Sequence, residues 1–264
     1  MSNCDSYIVF DTETTGMPPG ARLVEIGALK IVNNQVADRF ETLINPNCSI
    51  PFHVIRVHGI DNNMVADAPL AAEALSNFTS WCEDLPLVGH NISFDASMIA
   101  SELWRANMPI LNNKTYCTLA ASRKLLDQQS NALSSLTEAL DLPNSVSHRA
   151  LADAENTHHL LLHISELVGA NRCWQKMDRG KVLSEFKPRP VKLPPRFRAL
   201  RSALDKREQI EIDYRLANGR NYLIKIHPRI IYESGSRTIL EAKCDSTGIV
   251  KTYLLDSILS VAKK

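Results

Sequence analysis

The stretch "YIVFDTETTG", Tyr7 to Gly16, ends a wholly apolar run on two carboxylates one residue apart, Asp11 and Glu13. The apolar part reads as a buried β-strand, yet acidic residues are depleted from strands. Side chains alternate along a strand, so Asp11 and Glu13 leave the same face, where like charges raise each other's pKa. A chain can fold with such a pair only if something neutralises it. A hard divalent cation such as Mg2+ or Mn2+ would do so through carboxylate oxygens. On this fragment alone a structural account fits equally well: Asp11 caps a turn and Glu13 pairs with an arginine.

Around this strand the pattern alternates. "LVEIGALKIV" (Leu23 to Val32) and "RFETLINP" (Arg39 to Pro46) read as two further strands, and "NNQ" between them favours a hairpin. Helical spacing marks Ala68 to Asp84, Phe94 to Asn107, Ser130 to Leu140 and His148 to Gly169, with a short strand in "LPLVGHN". This order predicts a mixed α/β domain over residues 1–170 with one central sheet. Residues 171–199, around the proline-rich and basic "FKPRPVKLPPRFR", read as an extended linker. Residues 200–264 hold short alternating segments ("QIEIDYRL", "YLIKIHP", "IIYES", "TILEAKC", "VKTYLL") separated by Asn-Gly, Gly-Ser and Thr-Gly. They predict a small all-β domain, a barrel.

Charge divides the chain the same way. Residues 1–170 carry 9 Lys and Arg against 19 Asp and Glu, whereas 171–264 carry 21 against 10. An acidic half suits cations and a basic half suits phosphate, although the halves could also simply attract each other. No apolar stretch is long enough to span a bilayer, and "MSNCDSY" lacks the basic start and apolar core of a secretory signal. Six scattered cysteines without a CxxC pair argue against a zinc knuckle or disulfide framework and for a reducing cytoplasm.

Two further fragments join the acidic pair. "GHNISFDASMI" puts Asp95 at the mouth of a helix, where a carboxylate also serves as a plain cap. "HRALADAENT" puts Asp153 five residues after His148, whose ordinary pKa suits a general base at neutral pH. Together "FDTETTG", "HNISFD" and "HRALADAENT" resemble the three motifs of the DEDDh 3′–5′ exonucleases, the group containing the epsilon proofreading subunit of bacterial DNA polymerase III. "EIGA" at Glu25 to Ala28, "VHGI" at Val57 to Ile60 and "SNALSSL" before the third motif extend the match over roughly residues 6–168.

The resemblance implies an RNase H-like fold and a metal-dependent 3′–5′ exonuclease that releases nucleoside 5′-monophosphates. Asp11, Glu13, Asp95 and Asp153 would hold two Mg2+ or Mn2+ ions per active site, and His148 would deprotonate the attacking water. The backbone at Thr14, Thr15 and Gly16 would hold the terminal 3′-hydroxyl, Met17 would wedge against the last base, and His58 and Asn91 would line the same groove. The implied partner is a single-stranded 3′ end, DNA ahead of RNA. No membrane is implied, and a polymerase or other protein partner is compatible but not required. An RNA-directed enzyme and a regulatory nucleic-acid-binding protein are the competing readings.

Other features read as structure. Phe94 and Trp81 are expected in the core, and His159 and His163, though at a zinc-binding spacing, on an ordinary helix surface. The C-terminal segments more faintly resemble a WYL domain, a small Sm-like barrel, with "TILEA" where the name-giving tripeptide would stand. Lys187, Arg189, Lys192, Arg196, Arg198, Arg201, Arg220 and Arg229 are candidates for phosphate contacts there, against a solvated linker as the plainer account.

Overall fold

Tyr7–Thr14 forms β1, and its apolar side chains divide between two faces. Ile8 and Phe10 enter one apolar cluster, Tyr7 and Val9 another. A strand covered on both faces has no polar side to show, which is why its sequence does not alternate. The computed structural model describes every residue except 1–4, 18–19, 144–147, 189–190, 207, 235–236 and 263–264. Cys4 and Arg189 therefore lie outside the described residues.

β1 lies inside a six-stranded sheet with Leu23–Val32 (β2), Gln35–Leu43 (β3), Leu87–Gly89 (β4), Lys114–Cys117 (β5) and Asp178–Val182 (β6). The order is β3-β2-β1-β4-β5-β6. β1, β4 and β5 are parallel and the other pairings antiparallel, so the sheet is mixed, as the sequence predicts. Asn33 and Asn34 make the β2–β3 turn at φ of 52° and 61°, left-handed values that asparagine tolerates. The helices are Phe52–His58 (α1), Ala71–Cys82 (α2), Ser93–Arg105 (α3), Thr118–Leu125 (α4), Leu133–Ala139 (α5), Ala150–Val168 (α6) and Ala170–Met177 (α7). Phe78 of α2 and Ile99 and Leu103 of α3 cover one face of the sheet, while Leu160, Leu161 and Ile164 of α6 cover the other. Trp81 and Phe94 pack against the first of these cores.

The chain divides into two units, residues 1–187 and 188–264. The linker expected over 171–199 is not there. Its first part builds α7, which buries Cys173 and Met177, and β6, which pairs with β5. Its second part belongs to the other unit: Phe197 is buried in that core and Val191 and Leu193 pack against it. Proline and basic residues conceal apolar side chains spaced to bury, so composition alone misreads the segment.

The second unit starts with helix Arg198–Lys206 (α8) and continues as Ile210–Arg215 (β7), Asn221–Ser234 (β8), Arg237–Cys244 (β9), Val250–Leu254 (β10) and Ile258–Ala262 (β11). The sheet is antiparallel in the order β10-β9-β8-β7-β11. Its last strand pairs with its first, and among the described residues no pairing of the edge strands β10 and β11 closes it into the barrel expected from the sequence. "YLIKIHP" and "IIYES", expected as separate strands, are one strand, β8, whose register shifts between Pro228 and Ile230. A bulge is how a strand interior accommodates a proline that cannot donate to the ladder.

Candidate active site

β1 and β4 are parallel neighbours, so their C-terminal ends lie side by side. Asp11 and Glu13 end one, and Asp95, in the first turn of α3, follows the other. The third contribution comes from α6, whose N-terminus presses onto β2 at Gly27, the register partner of Asp11. A Cβ on Gly27 would lie 2.0 Å from the Leu151 nitrogen, so only glycine admits this approach. It delivers Asp153, in the first turn of α6, to the acidic pair. Carboxylate oxygens of Asp11, Glu13 and Asp153 then lie within 4.8 Å of one another, the one such group among the described residues.

Asp95 stands beside this trio, not within it. It is buried, and its Oδ1 accepts hydrogen bonds from the Thr12 backbone N–H at 3.0 Å and the Thr12 hydroxyl at 2.7 Å. Burial above all, then the charges of Asp95, Glu13, Asp153 and Glu25, hold the Asp11 carboxyl well above the usual range. Burial and the same kind of crowding push Glu13 up to about 8, with Arg149 pulling the other way. Asp95 rises to about 7 through burial despite its bonds from Thr12. Asp153 is also raised by burial, partly offset by the His148 backbone N–H, which donates to its Oδ2 at 3.0 Å. A cluster of oxygen donors this short of positive charge is a fit for hard divalent cations.

His148 is exposed, with φ of +68° where the chain enters α6. Thr14 and Thr15 close β1: the Thr14 hydroxyl donates to the Gly16 carbonyl at 2.6 Å, and the Thr15 hydroxyl accepts the Arg22 N–H at 2.9 Å. Gly16 has open space around it and Met17 is 78% exposed. His58 is buried at the end of α1, its Nδ1 accepting the Ile60 N–H at 2.9 Å. Burial lowers its pKa, partly countered by the Thr14 backbone, which places the ring beside the end of β1. Asn91 is exposed in the turn before α3 at φ of 65°. His159 Nδ1 lies 2.9 Å from the Pro143 carbonyl.

Sequence reasoning gave no role to Glu25 and Arg149. Glu25, fully buried, takes the Arg149 Nε–H at 3.0 Å, a further bond from Nη2 and the Ala150 N–H at 2.9 Å. This clamp ties the start of α6 to β2 between His148 and Asp153. The signal was a lone acid inside "LVEIGALKIV", which a buried strand carries only with a partner.

The exonuclease family profile matches residues 8–161, more than half of the chain, and a WYL domain profile matches residues 195–263. The chain belongs to the exonuclease family. It is 34% identical over 190 residues to the PolC-type DNA polymerase III of Caldanaerobacter subterraneus subsp. tengcongensis, covering 71% of this chain but only 14% of that protein. It is also 34% identical over 167 residues to the epsilon subunit of DNA polymerase III of Buchnera aphidicola subsp. Schizaphis graminum, covering 58% of this chain and 72% of that one. A solved structure of exonuclease X with 5′-overhanging duplex DNA shares 25% identity at a TM-score of 0.52, over 65% of this chain and 99% of that one.

Proposed function

We propose that this protein is a metal-dependent 3′–5′ exonuclease that hydrolyses the terminal phosphodiester bond of a nucleic-acid strand, DNA ahead of RNA. The observation that carries this reading is the convergence of Asp11, Glu13 and Asp153 with no ion pair to a protein cation among the described residues, Arg149 offsetting only part of the Glu13 charge. Asp11, Glu13, Asp95 and Asp153 would hold two Mg2+ or Mn2+ ions, which when bound supply charge stabilisation to both the attacking and the departing oxygen. Thr12 keeps Asp95 aimed at that end of the sheet through one oxygen, leaving the other for a ligand. Arg149 and Glu25 fix the turn from which His148 reaches the attacking water and accepts its proton. The P–O3′ bond then breaks, leaving a nucleoside 5′-monophosphate and a strand one unit shorter.

Thr14, Thr15 and Gly16 offer the backbone edge for the terminal 3′-hydroxyl, with Met17, His58 and Asn91 around the last nucleotide. The preference for DNA rests on the polymerase III relatives and on exonuclease X, whose own substrates and assemblies are DNA-linked by name. In the second unit, the exposed Lys192, Arg196, Arg198, Arg201, Arg220 and Arg229 suit phosphate contacts. No described helix is long and apolar enough to cross a membrane. The buried Cys82, Cys117, Cys173 and Cys244 are free thiols, which suits a reducing, cytoplasmic setting.

The test is degradation of 5′-labelled single-stranded DNA and RNA of one sequence, with Mg2+, by wild type and Asp11→Ala. A ladder shortening from the 3′ end that vanishes in the variant supports the reading, and the faster strand names the substrate. No ladder on either strand would favour the regulatory reading, with the nuclease fold serving to bind.

A further inference from the structure

The 14 Lys and Arg residues of the first unit fall into two populations. Six are Arg22, Lys30, Arg39, Arg56, Arg105 and Arg149. Five of these are ion-paired within the unit: Arg22 and Arg105 with Glu102, Lys30 with Glu83, Arg39 with Glu155, and Arg149 with Glu25. The other eight lie in two short stretches, 114–124 and 172–187, which contain only two acids, Asp178 and Glu185. None of the eight has an ion pair among the described residues. All are exposed except Lys176, which is half-buried.

The fold gathers the two stretches at one edge of the sheet, where β5, β6, α4 and α7 pack on one another. Lys114 opposes Val182 and Lys181 opposes Thr115 across the last strand pair, and Arg179 stands in the register shift between Thr115 and Tyr116. Arg123 and Lys124 end α4, which packs against the α7 that bears Arg172. Helix-end carbonyls account for Arg123 and Lys124. They do not account for Lys114, Arg172, Arg179 and Lys181, nor for the segregation itself. The opposite edge carries exposed acids, Asp38 and Glu41 on β3 and Glu73 on α2. A polyanion is repelled from that edge and drawn to this one. α7 and β6 also lie beyond residues 8–161, so this edge is built largely from chain outside the family match.

We propose that the β6 edge of the first unit binds the phosphate backbone of the strand whose 3′ end occupies the acidic site. The proposal rests on the nuclease reading, which supplies the strand. β6 is three strands from β1, about 14 Å at ~4.8 Å per strand, and Lys181 is level with Ile8, three residues back from Asp11 and so about 10 Å further along the strands. The edge therefore holds nucleotides upstream of the scissile bond, and a trinucleotide is too short to reach it.

The experiment compares the 264-residue chain with its Arg123→Gln, Lys124→Gln, Arg172→Gln, Arg179→Gln variant on single-stranded DNA of 3, 6, 12 and 24 nucleotides with Mg2+. The expected result is a KM raised about tenfold or more on 12- and 24-mers, a shallower salt dependence by roughly 3 in log–log slope, and unchanged kcat and trinucleotide kinetics. A companion variant with Arg and Lys exchanged at the same four positions retains wild-type KM. Equal KM at every length, or an equal loss on trinucleotide and 24-mer, overturns the proposal. Loss in the exchanged variant also overturns it, since charge is then not what matters. A wild type that degrades no substrate fails the nuclease reading itself, a result distinct from any of these.

Discussion

Glu13 and Glu25 are register partners on adjacent strands, but only Glu25 is neutralised by the protein. Glu25 is gripped by Arg149 and the Ala150 N–H, as the buried Glu102 is gripped by Arg22 and Arg105. Glu13 shares its space with Asp11, Asp95 and Asp153, and Arg149 offsets only part of that repulsion. The difference separates two uses of a buried acid. Where the carboxylate is structural, the chain supplies the counter-charge and gains a fixed contact. Where it is not, the counter-charge comes from outside and the fold tolerates crowding until it arrives.

The same substitution at the two positions puts that contrast at risk. Glu13→Gln lowers exonuclease activity by about a thousandfold or more, because a ligand to the reacting centre is lost. The same variant melts no lower than wild type in EDTA, since one repelling charge is gone. Single-turnover hydrolysis and thermal unfolding read both effects, and a metal-free melting temperature well below wild type would break the contrast. Glu25→Gln does the reverse. It strands the Arg149 charge and costs about 3–5 kcal/mol of stability by denaturant unfolding, the usual result of breaking a buried pair from one side. Equal stability of the two variants would mean that Arg149 serves both acids alike.

The smallest effect concerns pH. Glu13 titrates near 8 in the folded protein against an ordinary 4.5, with Asp153, Glu25 and Asp95 raising it and Arg149 lowering it. Between those values the folded state binds more protons here than the unfolded chain, so metal-free stability falls as pH rises, by a few kcal/mol at most. Thermal unfolding in EDTA from pH 5 to 8 shows the decline, and added Mg2+ reverses it most strongly at pH 8. A flat metal-free profile would place the compensating charge inside the protein after all.

The acidic strand end was legible because alternation forces Asp11 and Glu13 onto one face, and the central sheet because both strand faces are apolar. Asp153 was legible only as part of a motif, since nothing local says that a helix beginning at residue 150 lands on β2. Short elements were missed: the four residues of β5, the seven of α1, the eight of α4 and β6, whose side chains are mostly exposed, as were α7 and α8, which flank the proline-rich segment. These exist because a neighbouring strand or helix offers them a surface, which is tertiary information. The proline-rich segment failed for the opposite reason, a strong local signal overridden by burial of Phe197 and its neighbours.

The contact of α6 with Gly27 also bears on when, during folding, the acidic cluster is assembled. Glu25 and Ala150, which meet there, are 125 residues apart in sequence, and about two thirds of the first unit lies between them. Such a contact closes late, after the loop entropy of the intervening chain has been overcome. A nascent chain that has emerged only as far as β5 holds Asp11, Glu13 and Asp95 but neither His148 nor Asp153. Docking of α6 on Gly27 is thus the step that brings Asp153 to Asp11 and Glu13, and the acidic cluster is incomplete until it has occurred.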